Sequence, residues 1–399
     1  MPEARQPLSI QTRLLHHSHK TDASTGAVSI PIQPASTFHQ KSVDHFGTFD
    51  YARSGNPTRQ ALEETFAELE NGTRAFAFAS GMAAISSTFM MLSAGDHLVI
   101  TEDVYGGTYR FTTEILPRYG IEYTFVDMTN VEEVKKAIRP NTAMIYMETP
   151  SNPTLKITPI REIVTLAKNH DCLTVLDNTF MTPVLQRPLD LGVDVVVHSA
   201  TKFIGGHSDV VAGLAVVKNR DLANQLKFLQ NSFGAILGPN DCWLIMRGLK
   251  TMHARMTLSS ATAHEIAVWL NDHPTVKHVY YPGLENHPGY ELNNSQAEGA
   301  GAVLSFELSD RSAVKAVVEA MSIPVFAVSL GAVESILSYP AKMSHEAMPP
   351  NERAKRGITD GLLRLSVGLE NKDDLIADFE QAFHKISLKG EKQVPSLKK

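Results

Sequence analysis

From residue 75 to residue 218 the chain repeats one pattern: a short apolar run, then a stretch with helical spacing. The runs are 75–79, 97–101, 122–127, 143–148, 172–177, 194–198 and 212–218, and helical patterns such as 82–92, 131–138 and 160–168 lie between most of them. Short, nearly continuous apolar runs fit strands buried on both faces. Their alternation with helices predicts one α/β domain around a seven-stranded, mainly parallel sheet. Before this region, Thr58 after Pro57 predicts a helix start, with Thr58 as the N-cap. Residues 1–58 have no such period. With Pro31, Pro34 and Pro57 and many Ser and Thr, they read as an extended arm. After residue 218 a long helical region runs over 222–273, broken near 234–239. Strand-like runs at 276–281, 302–307 and 362–366 and helical patterns at 312–321 and 373–385 then predict a second, smaller α+β domain. The tail from residue 387 reads as frayed.

Composition narrows the class. Of 399 residues, 43% are hydrophobic and 20% charged, which excludes disorder as the main state. The net charge is −6 with no basic stripe, so no nucleic-acid partner is expected. No run approaches the ~20 apolar residues of a membrane span, and residues 1–10 have no apolar core of a secretory signal, so no membrane partner is expected. Only Cys172 and Cys242 occur, which favours a reducing compartment and a cytoplasmic location. His16, His17 and His19 cluster near the start without further ligand spacing, and no metal site is expected.

In an open α/β sheet, ligands sit beyond the carboxyl ends of the strands. The first exit, Ser80-Gly81-Met82, is a small-residue turn feeding a helix, where free N–H groups suit a phosphate. The fourth, Glu148 to Pro153, sets Asn152 in a stiff proline-flanked turn. The fifth ends in Asp177, either a turn former or a buried anion for a positive ring nitrogen. The sixth is Ser199-Ala200-Thr201-Lys202. A lysine just past a buried strand is either paired or a nucleophile of lowered pKa that can form a Schiff base. A phosphate, an aldehyde and a ring nitrogen occur together in pyridoxal 5′-phosphate.

The ordered set resembles the cysteine/methionine-metabolism family of pyridoxal-phosphate enzymes over nearly the whole chain. The resembling segments are Tyr51 to Thr58, Phe78 to Met82, Asp103 to Thr108, Glu148 to Pro153, Asp177-Asn178-Thr179, Ser199 to Lys202, Ser329-Leu330-Gly331 and Arg364 to Gly368. Within the family, residues 25–31, 177–190 and 328–340 are most similar to the bacterial cystathionine β-lyase branch. The resemblance implies the fold type I (aspartate aminotransferase-like) pyridoxal-phosphate-dependent transferase architecture. It implies an arm over 1–58 that reaches a neighbouring subunit, a cofactor domain over 59–255 and a C-terminal domain over 256–399. It also implies a homotetramer built from dimers that share active sites.

The implied roles follow position by position. Lys202 would hold the cofactor and move the substrate's Cα proton. Asp177 would pair with the ring nitrogen, and Tyr105 would stack on the ring. Gly81, Met82, Ser199 and Thr201 would bind the phosphate, and Tyr51 and Arg53 that of a neighbouring subunit. Asn152 would contact both cofactor and substrate. Arg364 would grip the substrate carboxylate with Ser329, and Glu334 would stand at the distal end of an amino-acid thioether. The implied activity is β-cleavage of cystathionine. γ-Cleavage, γ-synthesis with an activated homoserine ester and transamination remain the alternatives, because the same catalytic set serves elimination from either carbon.

Overall fold

The computed structural model describes residues 8–16, 22, 24–346 and 348–391. His17 and His19 of the histidine cluster, and the tail from residue 392, lie outside the described residues. The seven expected strands form a single sheet. They are β1 (Arg74–Phe78), β2 (His97–Thr101), β3 (Glu122–Val126), β4 (Thr142–Glu148), β5 (Leu173–Asp177), β6 (Val195–Ser199) and β7 (Gly213–Val217). Their order is β1-β7-β6-β5-β4-β2-β3. β7 runs antiparallel to both its neighbours, and all other pairs are parallel.

Alternate residues of these strands enter separate cores. Val99, Ile145, Leu176 and Val196 pack on one face, and Leu98, Met144, Val175 and Val197 on the other. A sheet covered on both faces needs apolar side chains at odd and even positions alike, which is why its strands read as continuous runs.

A second sheet contains β8 (Val276–Tyr280), β9 (Val303–Leu308), β10 (Val325–Phe326), β11 (Ile336–Ser338) and β12 (Leu362–Ser366), in the order β10-β11-β12-β9-β8. Its own core gathers Leu304, Phe306, Leu365 and Phe379. The 34-residue helix Pro239–Asp272 joins the two parts. Cys242, Leu249 and Met256 belong to the core of the large sheet, and Ala263, Ile266 and Leu270 to that of the small one. The expected break before it is real: Gly234, at φ +69°, ends the helix Arg220–Phe233.

Three local expectations need correction. The helix Pro57–Leu69 is capped by Asn56, whose side chain accepts from the N–H groups of Thr58 and Arg59, and not by Thr58. Proline at the first helical position places the cap one residue earlier. The Thr58 hydroxyl instead donates to the Pro31 carbonyl and accepts from the Gln33 N–H, tying the arm to the helix. The arm is also not wholly irregular, because Ile10–Leu15 is helical. Finally, β10 and β11 were not anticipated. They are two and three residues long, too short to show a period.

Among the described residues no helix is long and apolar enough to cross a membrane. Nor does any group of three or more His, Cys, Asp and Glu side chains there have the arrangement to hold a metal ion.

Candidate active site

Parallel pairing brings β4, β5 and β6 to the same edge of the sheet, and the register sets Glu148 beside Asp177 and Asp177 beside Val197. The strand exits therefore open into one cavity of about 520 Å³. Gly81, Met82, Tyr105, Asn152, Asp177, Ser199, Thr201, Lys202, Ser329 and Arg364 all line it. Ten of the expected site residues, spread over nearly three hundred positions of chain, thus meet at one place. Tyr51, Arg53 and Glu334 do not. Arg53 lies over the Tyr51 ring, 5.5 Å from its centroid, on the arm. Glu334 opens into an adjoining cavity with Ser208, Asp209 and Val328, reached past Ser329 and Thr201.

Lys202 is largely enclosed. Burial, then the nearby Arg364 charge, pushes its pKa from 10.5 down to about 8. Its Nζ donates to the Ser329 hydroxyl at 2.6 Å. Ser329 holds a φ of +97°, an unfavourable backbone for a residue with a side chain. That conformation lets one residue serve two cations: its hydroxyl meets Lys202, and its carbonyl accepts from Arg364 Nη2 at 2.7 Å. Arg364, buried on β12, also donates from Nη1 to Asn152 Oδ1 at 2.8 Å. It has no ion pair of its own, and its Nε is buried without a partner. A guanidinium that lines the cavity and carries more N–H donors than Asn152 and Ser329 accept suits a carboxylate.

Two buried carboxyl groups compete for one negative charge. Burial raises the pKa of Asp177, and burial together with Asp177 raises that of Glu148 well above the ordinary value. The hydrogen bonds decide between them. Asp177 Oδ1 accepts from the Thr179 N–H at 3.0 Å and its hydroxyl at 2.5 Å, and Oδ2 accepts from the Tyr146 hydroxyl at 3.3 Å. Glu148 accepts from the Tyr105 N–H at 3.0 Å. Three donors favour the charge on Asp177, while burial and that neighbour favour the neutral form of Glu148. Thr179 is doubly used, since its hydroxyl also accepts from the Ser199 N–H at 2.8 Å. Glu148, Thr179 and Tyr146 were not anticipated as site residues. Glu148 and Thr179 stood at strand exits within the resembling segments, whereas Tyr146 carried no signal.

The phosphate end is a backbone cradle. The helix Gly81–Phe89 starts at the cavity, and the Ser80 hydroxyl oxygen caps only the Ala83 N–H. A Cβ at Gly81 would meet Ser199 Cβ at 2.9 Å, so only glycine lets this turn lie against β6. An electropositive helix start, a hydrogen-bonded carboxylate, an amine of lowered pKa and a guanidinium lining the cavity match the parts of pyridoxal 5′-phosphate and an amino acid. The residues present fit that cofactor.

Fold and site together define an α/β enzyme built around pyridoxal phosphate. More particularly, the chain belongs to the Cys/Met-metabolism PLP-dependent enzymes, whose family model matches residues 11–384. It is 66% identical over 379 residues to a cystathionine β-lyase of Bacillus subtilis, covering 95% of this chain and 97% of that protein. It is 50% identical over 376 residues to a cystathionine γ-lyase of the same organism, covering 94% and 99%. Among solved structures, a cystathionine γ-lyase from Lactobacillus plantarum complexed with L-serine superposes with a TM-score of 0.93 at 45% identity, covering 95% of this chain and all of that one.

Proposed function

We propose that this chain is a cystathionine β-lyase that cleaves L-cystathionine to homocysteine, pyruvate and ammonia. The observation that carries the choice of β over γ is a contrast within one organism. Identity to the Bacillus subtilis β-lyase exceeds identity to its γ-lyase by 66% to 50% over nearly the same residues. When bound, pyridoxal phosphate supplies an electron sink for the negative charge that develops at the substrate Cα. Lys202 holds the cofactor and takes the Cα proton, a task suited to an amine of pKa about 8. Asp177 would pair with the ring nitrogen and keep it positive, and Tyr105 would lie against the ring. Gly81 and Met82 N–H groups with the Ser199 and Thr201 hydroxyls hold the phosphate. Arg364, fixed by Asn152 and the Ser329 carbonyl, would bind the substrate carboxylate. Glu334, in the adjoining cavity, meets the distal amine of the thioether.

The arm over 1–58 docks on a neighbouring subunit, where Tyr51 and Arg53 reach that subunit's phosphate. Its exposed Val28, Val43, Phe46 and Tyr51 support a covered rather than a solvated surface. The chain divides at 58/59 and 255/256, assembles as a homotetramer of such dimers and works in the cytoplasm. Two buried free thiols support that location.

The deciding experiment incubates the purified protein with L-cystathionine and identifies the keto acid. Pyruvate with homocysteine is the expected outcome, while 2-oxobutyrate with cysteine overturns β-cleavage. Turnover only when a keto-acid acceptor is added would point to transamination.

A further inference from the structure

Lys202 begins a short turn whose carbonyls are only partly used by its own backbone. The Gly205 N–H bonds to the Ala200 carbonyl at 2.8 Å, and the Gly206 N–H to the Lys202 carbonyl at 2.7 Å. The Phe203 and Ile204 carbonyls turn instead toward the helix Pro239–Asp272, and one side chain meets both. Arg255 donates from Nη1 to the Phe203 carbonyl at 2.6 Å, and from Nη2 to the Ile204 carbonyl at 3.4 Å and the Gly248 carbonyl at 2.9 Å. Its Nε is steadied by the Thr251 hydroxyl at 3.1 Å.

Gly248, Thr251 and Arg255 recur at helical spacing on one face of the helix. Gly248 lets that face come close, since a Cβ there would lie 2.6 Å from the Ile204 carbonyl oxygen. Gly206, at φ +73°, does the same from the other side, because a Cβ on it would strike the guanidinium. Arg255 is buried, and burial alone lowers its pKa to about 10. A buried guanidinium held by carbonyls rather than a carboxylate has no ion pair to explain it. Two of its four bonds go to the residues that follow Lys202, and the other two to Gly248 and Thr251 of its own helix.

We propose that Arg255 is a positioning residue that fixes the Lys202 turn, so that the lysine amine meets the cofactor aldehyde in reactive geometry. This rests on the reading of Lys202 as the cofactor-bearing residue. The opposite side of the turn is held by the segment after Ser329: the Val333 N–H bonds to the Gly206 carbonyl at 2.9 Å, and a Cβ on Gly331 would meet the Phe203 nitrogen at 2.6 Å. Arg255 thus completes a clamp between the long helix and the segment that carries Ser329. Its substitution frees the Phe203 and Ile204 carbonyls from their partner while leaving Asp177 and the phosphate cradle in place.

The test uses full-length apoprotein of wild type, Arg255→Met and Arg255→Lys. Two constants are measured for each: the rate at which visible absorbance grows on adding pyridoxal 5′-phosphate, and the affinity for pyridoxine 5′-phosphate. The second compound fits the same pocket but has no aldehyde. A displacement of about 1 Å in a reacting group costs about a hundredfold in rate, so capture should slow by about ten- to a hundredfold in R255M and less in R255K. Affinity for pyridoxine 5′-phosphate should stay within about twofold. Capture at the wild-type rate in both variants overturns the proposal, as does equal weakening for the two compounds, which would mark a purely structural role. If R255M does not fold, R255K alone decides by the same two constants. Failure of wild type to capture the aldehyde would overturn the reading of Lys202 itself, an outcome distinct from the others.

Discussion

At the scale of single residues, the site works through charges taken out of water. Only the neutral amine of Lys202 attacks an aldehyde, and its pKa is pushed down to about 8. Cofactor capture by the apoprotein should therefore speed up as pH rises, reaching half its maximum near about 8 instead of the ~10.4 of a free lysine. Following the absorbance change across pH checks this, and a midpoint near the free-lysine value would refute it. The Arg364 charge contributes to the shift by opposing a second positive charge nearby. Arg364→Gln removes that opposition, so the lysine pKa rises and the midpoint moves to higher pH. In the proposed role of Arg364, the same substitution removes the grip on the substrate carboxylate. With charged hydrogen bonds worth about 1.5–3 kcal/mol each, the KM for cystathionine should rise by about a hundredfold. Glu148 carries the opposite expectation. Burial and the neighbouring Asp177 raise its pKa well above the ordinary value and favour the neutral acid, so Glu148→Gln, which keeps its size, should leave the Asp177 pairing and the visible spectrum nearly unchanged. A large spectral shift in that variant would show that Glu148 carries the charge.

At the scale of elements, what places the substrate contacts is the loop between β4 and the helix Ile160–Lys168. Buried Asp103 accepts hydrogen bonds from the Ser151 hydroxyl at 2.6 Å and from the Thr154 hydroxyl, the residues on either side of the Asn152–Pro153 pair. Asp103→Ala removes the acceptor of both hydroxyls, leaving Ser151 only the Lys156 N–H that it accepts at 3.0 Å, at a cost of about 2–3 kcal/mol seen in denaturant unfolding. It should also raise the KM through Asn152, with a smaller effect on kcat. None of this was readable along the chain, because Asp103 meets its partners only after β2 and β4 pair. The seven strands of the large sheet were readable to within one residue. A sheet covered on both faces writes its burial directly into runs such as Val195-Val196-Val197. Lys202, Asp177 and Arg364 were legible for a related reason, since a charge at the end of or within an apolar strand stands out. The roles of Thr179, Tyr146 and Arg255 were not. Hydroxyls near strands and an arginine in a mostly amphipathic helix look ordinary until tertiary packing shows what they face.

At the scale of the whole molecule, the cavity contains every expected group except those on the arm and Glu334. Tyr51 and Arg53 are held at the surface, beside the helix that carries Phe228 and Phe233, whose rings are also exposed. Lys227 of that helix donates to the Ser54 carbonyl, so the arm's end is anchored here and is not free to swing into its own cavity. If the arm serves a neighbour, two inactive variants can repair each other. Lys202→Ala lacks the amine but keeps a sound arm, and Arg53→Ala lacks the arm contact but keeps the amine. A hybrid dimer of the two has one site damaged twice and one intact. Random reassociation of equal amounts makes half the dimers hybrid, so activity should return to about a quarter of wild type from two nearly inactive preparations. The measurement is pyruvate formation after mixing under conditions that exchange subunits, with each variant alone as control. No recovery, once exchange has been shown with a tagged chain, would place Arg53 outside the neighbour's site. Recovery would mean that the arm and the cavity of any one chain belong to different active sites.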